Sequence, residues 1–277
     1  MNIIDEQAFE EMMDDIDKQL ENEGVPAHSR PIMASLKLTN KLKISIPIIP
    51  RIQNTFSEDD FSREAIPWQI NNWYQNVYSN KINIDAKLAN IVFLIRGITY
   101  RAVLPLVYGT ILINPFDYIE DLTPELYSRL SKEEINEIAT LYLDTYKAMN
   151  KYHSSGLPKI NAVLTKLETA VNIIMQRRFI DGDSKWASLQ FIEILLKSIL
   201  ENNRIEHKIK HKLLPLLKLI PHEITCGVSE VDIEKIQCNA GVRYLEIDVS
   251  LNEAIEAHHA SLRVFAQIMS AMFPDDG

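Results

Sequence analysis

Between Ser184 and Leu200 the chain reads SKWASLQFIEILLKSIL, apolar on nearly every side of a helical wheel. A helix of that kind lies inside a packed core rather than on its surface. Its one polar stripe is Gln190, Glu193 and Lys197, which share a face. Glu193 stands before Lys197 in the favourable order for an i,i+4 ion pair. The remaining pattern predicts helices around this hub. Ile4, Ala8, Met12, Ile16 and Leu20 recur every fourth residue and predict an amphipathic helix over 3–22, stopped by Gly24 and Pro26. Ser131-Lys-Glu-Glu134 is a capping box that opens a helix through Ile135, Ile138, Leu141, Tyr142 and Tyr146. Thr123-Pro124-Glu125 has the order of an N-cap, a first-turn proline and a first-turn acid. Ile160, Val163, Leu164, Leu167, Val171 and Ile174 keep a helical period. Ser250-Leu-Asn-Glu253 is a second capping box, opening a last helix to about Met272.

The other segments are less regular. Lys41 to Pro50 (KLKISIPIIP) alternates before two prolines and predicts a short edge strand or an extended arm. Asp85 to Val107 predicts a buried helix ended near Pro105, in which Arg96 and Arg101 need ion-pair partners or solvent. Leu213, Leu214, Leu216 and Leu217 place a helix over about 208–220, Ser229 to Asn239 forms a short one, and Val242 to Val249 runs extended. Four principal helices, up and down, make a bundle of the C-terminal half. The expected fold is mostly α: an N-terminal helical domain with a short strand or extended arm, then a C-terminal up-and-down helical bundle. His153-Ser-Ser-Gly-Leu-Pro158 is the clearest punctuation, so the expected domains are 1–153 and 158–277.

Composition fits a folded helical chain: 277 residues, 46% hydrophobic, with 8 glycines. The acidic N-terminus lacks the basic start of a secretory signal, and Arg96 and Arg101 interrupt the longest apolar run. Two cysteines make no disulfide framework, and a reduced, cytoplasmic setting is expected. Charge changes the picture more. Of a net charge of −9, residues 1–24 carry nine acids against Lys18, which leaves the remainder close to neutral. A local basic run follows the hub: Arg204, Lys208, Lys210, Lys212 and Lys218, with His207 and His211 among them. Such a run suits a polyanion, a nucleic acid above all. The acidic first helix is either a solvated face or a mimic of that polyanion.

Trp186-Ala-Ser-Leu-Gln190 with Glu193 and Lys197 resembles the core helix of HEPN (higher eukaryotes and prokaryotes nucleotide-binding) domains. Lys210-His-Lys-Leu-Leu214 resembles the step into their third helix. Ile236 to Tyr244, followed by Glu253-Ala-Ile-Glu-Ala-His258, resembles their closing segment. The resemblance spans about 159–272. It implies an often dimeric bundle serving in RNA cleavage, in toxin–antitoxin and phage-defence systems, or as the partner of a small nucleotidyltransferase. Nuclease members carry Arg-x(4–6)-His at the head of the last helix; here Asn252 stands in the place of that arginine, ahead of His258. Asn252 supplies no cation for a phosphorane-like transition state. Arg243 lies fifteen residues before His258, too far to restore the spacing.

The candidate residues each admit a structural and a chemical reading. His258, on the apolar stripe of the last helix, is an interior histidine or an acid–base group. Glu256, His259 and Arg263 share the neighbouring face, as a solvated surface or as a polar site across a dimer. His207-x-x-x-His211 has helical metal-pair spacing without a third ligand, and His222, Cys226 and Cys238 lack zinc spacing; no metal and no cofactor is expected. Trp68, Trp73, Tyr74 and Tyr78 lie among amides and suit either a core or base stacking. The expected function is a non-catalytic HEPN-like module that binds a nucleotide, RNA or a partner protein through Gln190, Glu193, Lys197, Lys208, Lys210 and Lys212. One alternative is a metal-independent endoribonuclease acting as a homodimer, with His258 or His259 and Arg243 or Arg263. A structural interaction protein is the other.

Overall fold

A computed structural model describes residues 2–25, 29–44, 57, 59–78, 87–106, 113–176 and 181–274. The chain forms two compact units, Met1–Lys87 with Pro105–Asn114, and Leu88–Leu104 with Pro115–Gly277. The expected boundary at 153–158 lies between two helices of the second unit.

In the first unit, α1 (Glu6–Asn22), α2 (Arg30–Leu42) and α3 (Ile66–Tyr78) enclose a core of Phe9, Met13, Ile16, Leu20, Leu38, Ile70 and Tyr74. Asp5 caps α1 by accepting the Ala8 N–H at 2.8 Å, and Gly24, at φ 70, ends it in the left-handed region. Asp17 on α1 is buried but paired: the Arg30 guanidinium sits at 3.3 Å and the Tyr78 hydroxyl donates to the same carboxylate. The Trp73 indole N–H donates to Glu10 at 2.8 Å, so Trp73 and Tyr74 are core and anchoring residues of this unit. Residues 41–42, expected in a strand, close α2, and 45–50 lie outside the described residues.

In the second unit the segment expected as a helix over 85–107 is a β-hairpin, β1 (Lys87–Ile95) and β2 (Ile98–Pro105). Arg96 and Gly97, both at positive φ, make the two-residue turn whose twist matches that of its strands. The run LANIVFLI reads as a continuous apolar block because β1 is buried almost throughout, so neither period is visible. Arg96 and Arg101 do find acids, Glu134 at 3.3 Å and Glu120 at 3.8 Å.

The bundle is built on α7 (Asp181–Asn202), buried from Trp186 to Leu200 except at Gln190, Ile194 and Lys197, which are half-buried. Against it pack α6 (Ile160–Gln176), α11 (Leu251–Met272) and the 3₁₀ turn Ala240–Tyr244. After the short α4 (Pro124–Tyr127) comes the fourth long helix, α5 (Lys132–Ser154), which packs on α11. It takes the place expected for 208–220, of which only α8 (Leu213–Leu217) is helical, with the short α9 (His222–Thr225) after it. Pro215 explains the difference: a helix begun at 208 would put its ring against the carbonyl of His211. Residues 242–249, expected to be extended, begin inside the 3₁₀ turn and continue with Leu245 at φ 56. Both capping boxes form as read, at Ser131 and Ser250. Gly182, in the first turn of α7, lets that turn approach Val242; a Cβ there would stand 2.2 Å from the Val242 carbonyl oxygen.

Candidate functional site

An isolated hairpin leaves two rows of outward backbone groups, and here side chains and a backbone N–H answer them. Residues that do not face the partner strand point N–H and C=O outward at every second position. On β1 these include Asn90 and Val92. Glu168 of α6 accepts the Asn90 N–H at 2.9 Å and its side-chain amide at 3.1 Å. His258 Nε2 accepts the Val92 N–H at 3.2 Å, and His259 Nε2 donates to the Val92 carbonyl at 2.8 Å. On β2 the Arg101 carbonyl takes the Glu120 N–H at 2.8 Å, and the Val103 carbonyl takes the Tyr142 hydroxyl at 2.7 Å. These contacts fix opposite tautomers on two adjacent histidines. His258 carries its proton on Nδ1, which is buried and has no partner; His259 carries its proton on Nε2.

Both rings are therefore held neutral. Burial, with a smaller push from His259, drives the His258 pKa down to about 3. Burial outweighs the Val92 hydrogen bond and drives His259 down to about 4. His258, 0% exposed, is bound to the sheet edge by the nitrogen that an acid–base role would need. Arg263, one turn beyond His259, is tied to Asp232 of α10 (Glu230–Ile236) by two bonds of 2.6 and 3.0 Å. Arg243 lies elsewhere, with its guanidinium 5.8 Å from the Trp186 ring centre and its Nε 3.7 Å from Asp183. A groove of about 910 Å³ between α5 and α11 has His259, Arg263 and Gln267 on one wall and Glu133, Glu137 and Asp144 on the other.

The polar stripe of α7 behaves differently. Glu193 is only 3% exposed, and its carboxylate accepts from Lys197 Nζ at 2.5 Å, from the His211 N–H at 3.0 Å and from His211 Nδ1 at 2.9 Å. Burial by itself pushes the carboxyl pKa up; the Lys197 and His211 donors outweigh it and hold the group below the usual carboxylate range. Gln190, one turn before Glu193, is half-buried.

His211 is held on three sides. Its backbone is in the left-handed region, φ 55, where a non-glycine residue is uncommon and needs support. Glu193 supplies that support from α7. Gln237 supplies the rest, donating to the His211 carbonyl at 2.8 Å and accepting the Leu213 N–H at 3.0 Å. The ring lies 5.0 Å from that of Trp186, tilted by 50°. Because a carboxylate only accepts, Nδ1 carries the proton and Nε2 is left uncommitted on a side chain that is 48% exposed.

Trp186, Lys210, His211, Lys212, Gln237 and Cys238 line a cavity of about 500 Å³. Lys208, Lys210 and Lys212 are exposed, on the coil between α7 and α8. Burial pushes the Cys238 thiol up to about 11, against a smaller opposing pull from Lys185, which leaves it protonated and a poor nucleophile. Of the binding residues expected from the sequence, Glu193, Lys197, Lys210 and Lys212 gather on this side, joined by Arg243 next to Trp186. From the sequence, His211 belongs to the basic run and stands at metal-pair spacing from His207. That helical spacing does not exist in the coil, and Glu193 occupies Nδ1. Among the described residues no group of three His, Cys, Asp or Glu side chains is placed to hold a metal, and no helix is long and apolar enough to cross a membrane. No family model, no curated protein and no solved structure matches the chain.

Proposed function

We propose that the second unit is a HEPN-like module that binds RNA, with the cavity beside Trp186 as its binding centre and the coil 203–212 as its basic strap. One observation carries this reading. Lys210, Lys212 and His211 converge on a cavity beside an aromatic ring, on the face that carries the Glu193–Lys197 stripe. Ammonium groups there would take backbone phosphates, and the cavity has room for a base or a ribose. The engagement of His258 and His259 with Val92 supports a module without chemistry at the head of α11. In line with the resemblance, the module works in the cytoplasm as a homodimer, in a toxin–antitoxin or phage-defence setting, beside a small nucleotidyltransferase.

Fluorescence anisotropy with a labelled single-stranded RNA over a series of salt concentrations tests the reading. Changing Lys208, Lys210 and Lys212 together to Glu removes three phosphate-facing cations. The slope of log affinity against log salt then falls in magnitude by about 2. An unchanged slope and affinity would remove RNA binding from this face and leave an interaction protein.

A further inference from the structure

We infer that His211, positioned by the buried Glu193 carboxylate, is a general base that gives this face an RNA-cleaving activity. The inference rests on the RNA-binding reading above and adds chemistry to it. A general base needs an imidazole of fixed tautomer, a free second nitrogen, a group that steadies the ring and a place for the reacting atoms. His211 meets these requirements. Nδ1 is committed to Glu193 at 2.9 Å, and the same carboxylate holds the His211 N–H at 3.0 Å. Nε2 is free on a half-exposed ring that lines the 500 Å³ cavity. Lys197, 2.5 Å from Glu193, neutralises the carboxylate while the ring is neutral; once the ring takes a proton, the carboxylate stabilises the imidazolium. Lys210 and Lys212 border the same cavity and offset the negative charge that builds on a phosphorane. The histidines of α11 serve the sheet edge instead: Nε2 of each is engaged by Val92, and His258 is fully buried.

The reaction that fits is an internal transesterification. The ribose 2′-hydroxyl gives its proton to His211 Nε2, and the 2′-oxygen attacks the adjacent phosphorus. A P–O2′ bond forms and the P–O5′ bond breaks, leaving a 2′,3′-cyclic phosphate. The departing 5′-oxygen takes a proton from water, and the imidazolium returns its own to the resulting hydroxide. No oxidant, reductant or added nucleophile enters the balance.

The left-handed backbone at 211 supplies the test. Glycine adopts φ 55 without a Cβ penalty, so His211→Gly removes the ring and keeps the N–H bond to Glu193. The intact chain is incubated with an end-labelled RNA and with the same RNA carrying 2′-O-methyl groups throughout, and the product ends are identified. Expected are cyclic-phosphate ends from the unmodified RNA and none from the methylated one. With protein in saturating excess over RNA, His211→Gly should cut about 100-fold or more slowly and regain cleavage when imidazole is added. If the parent chain binds RNA and leaves it whole, the catalytic inference falls and the binding reading stands. If it binds no RNA, the binding reading falls first. Undiminished cleavage by His211→Gly, or a loss that imidazole does not restore in a variant whose melting curve is intact, would also overturn the role of this ring.

Discussion

Replacing His258 and His259 together with glutamine should make the second unit resistant to acid. A glutamine side chain reaches as far as Nε2 of histidine, so one can offer its oxygen to the Val92 N–H and the other its amide to the Val92 carbonyl. The geometry survives and two titrations disappear. In the folded chain burial holds His258 near 3 and His259 near 4, both below the ordinary value of 6.5. Above 6.5 the rings are neutral in both states and the hydrogen bonds contribute in full. Below it the unfolded chain binds protons that the folded chain refuses, so stability falls as pH drops, until the folded values are passed. At about pH 5 the fully buried His258 accounts for a loss of about 2 kcal/mol. His259, at the rim of a groove, is partly screened and adds about 1 kcal/mol. Urea unfolding followed by far-ultraviolet circular dichroism, at about pH 7 and about pH 5, measures this. The natural chain should lose about 3 kcal/mol more than the double variant in the transition of the second unit. Equal acid losses in the two proteins would refute the claim that the sheet edge is held by neutral histidines.

Two further predictions test the packing. Gly182→Ala forces the first turn of α7 away from the Val242 carbonyl and should cost about 2–3 kcal/mol, read as a lower urea midpoint with an unchanged slope; a cost near zero would mean that the turn yields freely. Ser250→Ala removes the acceptor of the Glu253 N–H and half of a capping box, and should lower stability by about 1 kcal/mol in the same assay; a gain would contradict the cap.

What the residue pattern discloses here, and what it hides, follows from how local each interaction is. The hub Ser184–Leu200 is legible because a helix greasy all round has few places to go. The capping boxes are legible because all their atoms lie within four residues. The residue pattern predicts a helix where the hairpin stands because a strand buried on both faces loses its alternation, although Arg96-Gly97 and the β-branched residues on either side carry the turn signal. Pro215 likewise forbade the helix expected over 208–220. The Glu193–His211 pair was hidden for a different reason. Its members are eighteen residues apart and meet only because the coil turns through a left-handed residue pinned by Gln237. Nothing local marks that meeting, and the partnering of α5 with α11 is equally non-local.

The most direct measurement of the RNA-binding reading is photo-crosslinking of the intact chain to a 4-thiouridine RNA, with the attached peptides identified by mass spectrometry. The account predicts adducts on peptides containing Trp186 and the coil from Lys208 to Lys212, lost when the three lysines become Glu. Adducts confined to the groove between α5 and α11, to the first unit, or to no peptide at all would contradict it.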